Sequence, residues 1–147
     1  MKKKINFVFL IFSILATIFI FSNSMHIAEE SGAFSGGLLS QIKLFLNSLG
    51  IPLFWLTHNL FRKLAHIFEF FMQGFFINMY FITKNKARYK ASLMLGGLTA
   101  CIDEFIQLFY PGRAAMIKDI FIDFSGALLA VIFCIFAKYI LFDRRVK

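Results

Sequence analysis

The chain has 147 residues, 59% of them hydrophobic, and a formal net charge of +8. A soluble chain of this length would carry a polar face along each helix, and the long apolar runs here show few such faces, so the composition points to a single-domain, all-α integral membrane protein. Ten of the sixteen basic residues fall in three short flanks, so the excess charge is mostly topological and makes no case for nucleic acid.

The first apolar run covers residues 5–21 and follows Lys2, Lys3 and Lys4. Its exit, Ser22-Asn23-Ser24-Met25, offers no convincing small-x-small cleavage site, so the run is expected to stay as a membrane span. A link over residues 25–61 comes next. It opens with a Gly/Ser-rich piece, expected to be flexible, from Glu29-Glu30-Ser31-Gly32 through Gly36-Gly37. Leu38, Ile42, Phe45 and Leu49 then recur at helical spacing, predicting an amphipathic helix stopped by Gly50 and Pro52. Such a helix suits the interface plane, with Trp55 at headgroup level. Because residues 53–60 are apolar too, a re-entrant segment is the alternative.

Three further spans are predicted at residues 62–82, 91–109 and 118–142, each near the about 20 residues a bilayer requires. Lys84, Lys86, Arg88 and Lys90 lie between the second and third, and Arg144, Arg145 and Lys147 follow the fourth. With Lys2–Lys4 in the cytoplasm, four spans bring all three basic flanks to the cytoplasmic side, with both termini inside. Cys101 and Cys134 fall within spans and are read as packing residues.

Ionisable groups inside a span cost at least a few kcal/mol each, so they mark functional sites by default. In the second span Arg62, His66, Glu69 and Gln73 step by helical spacing down one face, with Lys63 beside them as an interface anchor. Asp103, Glu104 and Gln107 stand in the third span, and Asp119 and Asp123 open the fourth, ahead of Gly126. The turn Pro111-Gly112-Arg113 connects these two spans. Counted from the outer ends at about 1.5 Å per residue, Glu69 lies about 10 Å down its span and Asp103 about 9 Å down. Ser22, Asn23 and Ser24 end the first span at the same level. All these groups can therefore meet in one outer layer. Structural alternatives are ion pairs of Arg113 with Asp119 and of Glu69 with Arg62, holding the bundle together. Five carboxylates in that layer would repel severely unless protons, cations or a metal relieved them.

Arg62-Lys63-x-x-His66-x-x-Glu69, Asp103-Glu104-x-x-Gln107 and Gly112-Arg113 followed by Asp119-x-x-x-Asp123-x-x-Gly126 resemble the VanZ-like family over nearly the whole chain. The resemblance implies a small bacterial cell-envelope membrane protein, since the founding members are associated with resistance to the glycopeptide teicoplanin. It does not supply a reaction. Many relatives read Asp-Glu-x-His-Gln in the third span, where this chain has Ile106.

The depth of the polar layer suits a membrane lipid or lipid-linked envelope precursor whose tail stays in the bilayer. Arg113, Arg62 and the Ser22-Asn23-Ser24 exit would bind the headgroup. His66, Glu69, Asp103, Glu104, Gln107, Asp119 and Asp123 would carry acid–base chemistry, in a phosphoryl or headgroup transfer or a hydrolysis. Glu69, Asp103, Glu104 and Asp123 are candidate ligands for a divalent cation such as Mg²⁺. The alternative is a non-catalytic binder of the same lipid class, with a transporter less favoured.

Overall fold

In a computed structural model the chain forms five helices: α1 (Lys2–Ser24), α2 (Ala28–Ser48), α3 (His58–Tyr80), α4 (Ala87–Gln107) and α5 (Ile117–Phe142). The structure describes residues 2–81 and 87–142, with side chains from 7 to 81 and from 89 to 140. The basic residues Lys84, Lys86, Arg144, Arg145 and Lys147 lie outside the described residues. The all-helical class is as expected, and no strand occurs among the described residues.

Two helices are long and apolar enough to cross a membrane by length and composition: Phe7–Ser24 within α1 and Ile117–Ile140 within α5. The expected second and third spans, α3 and α4, fall short because they carry the charges. Arg62, Lys63 and Glu69 interrupt α3, and Lys90, Asp103 and Glu104 interrupt α4.

The link departs from expectation. The Gly/Ser-rich piece is helical, continuous with the amphipathic stretch in α2. Ser35 donates to the Ser31 carbonyl (2.8 Å) and Ser40 to the Gly36 carbonyl (2.9 Å), so these hydroxyls find acceptors on the helix itself. Glu29 and Glu30 in the first turn suit the positive end of the helix dipole. The predicted stop at Gly50 is present. Gly50 has φ of 76°, while its N–H reaches the Asn47 carbonyl and the Ile51 N–H reaches that of Leu46, a Schellman closure. Leu39 is the buried residue of α2, whereas Leu38, Phe45 and Leu49 stay exposed. Thr57 caps α3 by accepting from the Leu60 N–H (3.3 Å).

α3 is the central helix. It packs most extensively on α5, then on α1 and α4, with α2 laid against it near its start. Its buried residues, Phe70, Gln73, Gly74, Ile77 and Asn78, form one helical stripe. The facing stripe of α5 is built from small residues. A Cβ placed on Gly74 would meet the Ala130 methyl at 3.0 Å, and one on Gly126 would overlap the Ile67 carbonyl oxygen and stand 2.9 Å from the Phe70 Cβ. Gly96 of α4 comes equally close to Ala127, at 2.6 Å. Small residues at these crossings let backbones approach, as in bundles packed without a hydrophobic driving force.

The distribution of polarity is inverted. Among the described residues, as many polar or charged side chains are buried as apolar ones, including Gln73, Asn78, Asp103, Glu104, Gln107 and Asp123. Large apolar side chains meanwhile cover the outside of α1, α4 and α5, for example Phe12, Phe19, Leu98, Phe105, Phe133 and Phe136. Cys101 lies on this outer surface rather than in the packing, while Cys134 is buried.

Candidate functional site

Three helices bring the ionisable groups together at the α1 exit and the α4–α5 turn. His66 comes from the third turn of α3, Asp103 from the last turns of α4, and Asp123 from the second turn of α5. His66 Nδ1 stands 3.4 Å from Asp123 Oδ1. One donor atom each of His66, Asp103 and Asp123 fall within 4.8 Å of one another.

The end of α1 threads into this layer. Ser24 donates its hydroxyl to Asp103 Oδ1 at 2.6 Å, and Asn23 donates its amide to Glu69 Oε1 at 2.9 Å. Ser22, one residue earlier, is exposed and lines neither cavity of the site. Gln107 donates to Asp103 Oδ2 (3.0 Å) and, at 3.4 Å, to Glu104 Oε1. The other Glu104 oxygen accepts from the Met116 N–H (2.8 Å), so this carboxylate caps the entry to α5 from another helix. Asp119, in the first turn of α5, leaves Oδ1 without a hydrogen-bond partner among the described residues, as do Glu69 Oε2 and Asp123 Oδ2.

The two ion pairs expected to hold the bundle are replaced by other contacts. Arg113 donates through Nε to the His26 carbonyl (3.1 Å) and through Nη2 to that of Asn23 (3.0 Å), gripping the chain as it leaves α1. Glu69 takes the Asn23 amide in place of Arg62. A guanidinium bonds carbonyl oxygens at a helix end readily, because those last carbonyls have no partner within the helix. Burial and then the nearby Arg62 charge lower the Arg113 pKa from its ordinary value. Arg62 thus adds a like charge near Arg113, while the Asp103 and Glu104 carboxylates act in the opposite sense.

Two cavities adjoin here. A polar chamber of about 370 Å³ is lined by Arg62, Lys63, His66, Glu104, Gln107, Arg113, Lys118, Asp119 and Asp123, among others. A groove of about 530 Å³, lined by Phe19, Phe34, Leu38, Phe61 and Ala65, runs between α1, α2 and α3. Arg62, His66 and Arg113 belong to both linings. Ile106 lines neither, so the apolar side chain at that place takes no wall from the chamber.

Sequence reasoning missed the groove and the polar ladder below the site. Gln73 donates to Thr17 (2.7 Å) and Thr99 (2.9 Å), tying α3 to α1 and α4. Further along, Asn78 donates to Ser92 (2.9 Å) and to the Gly74 carbonyl (2.8 Å). Gln73 stood on the charged face read from α3, but nothing marked Thr17 or Thr99, since a lone threonine can satisfy itself on its own helix. Thr17 does so through the Ser13 carbonyl.

No curated protein and no solved structure matches the chain. The family model described as VanZ/LLP1 matches residues 8–139, which takes in all five helices and the whole polar layer. The chain thus belongs to the VanZ/LLP1 family, consistent with a cell-envelope-associated membrane protein.

Proposed function

We propose that this is a four-span protein of the bacterial cytoplasmic membrane that takes an anionic lipid, or a lipid-linked envelope precursor, from the outer leaflet and hydrolyses its headgroup. α1, α3, α4 and α5 are the spans, both termini are cytoplasmic, and α2 rests in the outer interface. The inverted polarity of the bundle supports the span count, because α3 buries Gln73 and Asn78 and α4 buries Asp103, Glu104 and Gln107, while α4 turns Leu98 and Phe105 outward.

One observation carries the substrate class. The polar chamber and the apolar groove meet at Arg62, His66 and Arg113, so an amphiphile can place its anionic head between two guanidinium groups and its chain along Phe19, Phe34 and Phe61. His66, oriented by Asp123, is placed to take a proton from a water in the chamber. Among the described residues the lining of that chamber contains no Ser, Thr or Cys, and Ser24 is committed to Asp103, which favours activated water over a covalent serine intermediate. The same lack of a side-chain nucleophile favours, as a second reading, a binder without catalysis.

Purified protein in nanodiscs, offered anionic and zwitterionic lipids, tests both. Hydrolysis predicts headgroup release that His66→Gln abolishes with lipid affinity held within about threefold, and Arg62→Ala weakens binding about tenfold. Binding without release supports the second reading. If neither anionic lipid nor precursor binds more tightly than phosphatidylcholine, both readings fail.

A further inference from the structure

We infer that His66, Asp103 and Asp123 form a divalent transition-metal site, with Zn²⁺ the best-matched ion. The three come from three different helices, yet one imidazole nitrogen and one oxygen from each carboxylate lie within 4.8 Å of one another. Donors around a tetrahedral ion at about 2.1 Å stand about 3.4 Å apart. The His66 Nδ1–Asp123 Oδ1 separation already has that value, and a donor of Asp103 lies within 4.8 Å of a donor of each.

Burial supplies a second, independent observation. Asp103 is 0% exposed and Asp123 is 1% exposed, and Asp123 Oδ2 lacks a hydrogen-bond partner among the described residues. A buried carboxylate oxygen without a donor is costly, and a cation bound there would satisfy it. Asp103 is already held as metal-binding carboxylates commonly are. Ser24 fixes Oδ1 and Gln107 fixes Oδ2, and each oxygen keeps a lone pair for an ion. Because His66 and Asp123 also line the polar chamber, an ion here would have its open coordination position toward that space.

The donor set chooses the ion. Mg²⁺ keeps oxygen ligands and most of its water, and Ca²⁺ needs six to eight oxygens, whereas one imidazole and two carboxylates suit Zn²⁺, with Mn²⁺ next. Glu69 and Glu104 fall outside the set. Neither belongs to the group of donor atoms that lie within 4.8 Å of one another, which is His66, Asp103 and Asp123. The site stands whether or not the lipid reading holds. With an ion bound, His66 would serve as a ligand and the ion, in place of His66, would activate a chamber water.

The test is calorimetric titration of chelator-treated protein in detergent with ZnCl₂ and MgCl₂, paired with thermal unfolding. The expected result is one Zn²⁺ per chain, bound at least about a hundredfold more tightly than Mg²⁺, and a raised unfolding midpoint. Asp103→Asn and Asp123→Asn should each weaken Zn²⁺ at least about tenfold. Their metal-free unfolding, compared with that of wild type, shows whether each variant is folded. Glu30→Gln, which alters the exposed His26–Glu30 pair (3.7 Å), should leave the affinity unchanged. The proposal is overturned if Zn²⁺ leaves the wild-type midpoint unmoved, or if both Asp variants bind it as tightly as wild type. It is overturned equally if Glu30→Gln accounts for the binding.

Discussion

Adding one methyl at Gly126 should loosen the α3–α5 contact on which the site depends. A Cβ there overlaps the Ile67 carbonyl oxygen and stands 3.0 Å from the Phe71 nitrogen. These are backbone atoms that cannot rotate aside, so the overpacking cost belongs at the upper end of its usual range, about 3 kcal/mol. The intrinsic helix preference of Ala over Gly offsets about 1 kcal/mol of this. The net loss of about 2 kcal/mol lowers the unfolding midpoint by roughly 4–8 °C in a chain of this size. Gly37→Ala is the matched control, since nothing lies within 4 Å of its Cβ and it sits inside α2. There the helix preference acts alone, and the midpoint should rise by roughly 2–4 °C. Thermal unfolding of both variants in one detergent reads the two signs together. A Gly126→Ala protein as stable as wild type would refute the close packing inferred for α3 and α5.

A double-mutant cycle of Gln73→Leu with Thr99→Val should show a coupling of about 0.6 kcal/mol and no more than about 1.7 kcal/mol, measured by unfolding. Glu104→Ala should cost about 1 kcal/mol of stability by uncapping the Met116 N–H, while Glu104→Gln keeps an acceptor and most of that stability. Arg113→Lys replaces a fork that grips two carbonyls with a point charge, and amide hydrogen exchange around the α1 exit should quicken about tenfold.

The helices were legible because apolar runs of span length are visible in one dimension. α5 begins one residue before the predicted span and ends where it does, at residue 142. α3 starts four residues early, since Thr57 offers the first N–H groups a cap that hydropathy does not register. α2 was misread at its start. Glycine and serine suggest a loop in water, but serines that bond back to the helix remove much of the reason to unwind. The meeting of His66, Asp103 and Asp123 was also legible, because position along a helix follows from residue count alone. Their partners were not. Whether Arg113 meets Asp119 or the Asn23 carbonyl depends on the rotation and tilt of neighbouring helices, which no single helix encodes.

That dependence explains why the small-residue stripe and the charged layer occur on the same helices. His66 lies one residue before Ile67, whose carbonyl crowds Gly126, and Asp123 lies three residues before Gly126. The tight crossing of α3 and α5 at Gly126 therefore sits within one turn of the His66–Asp123 pair. A buried carboxylate loses its hydration and is stabilised only by partners held at hydrogen-bond range. Bulkier residues at the crossing would widen that range and leave the buried Asp123 carboxyl without its His66 partner. Gly126 therefore bears on the candidate site without lining its chamber, by helping to fix the separation of the His66 imidazole and the Asp123 carboxylate, which come from different helices.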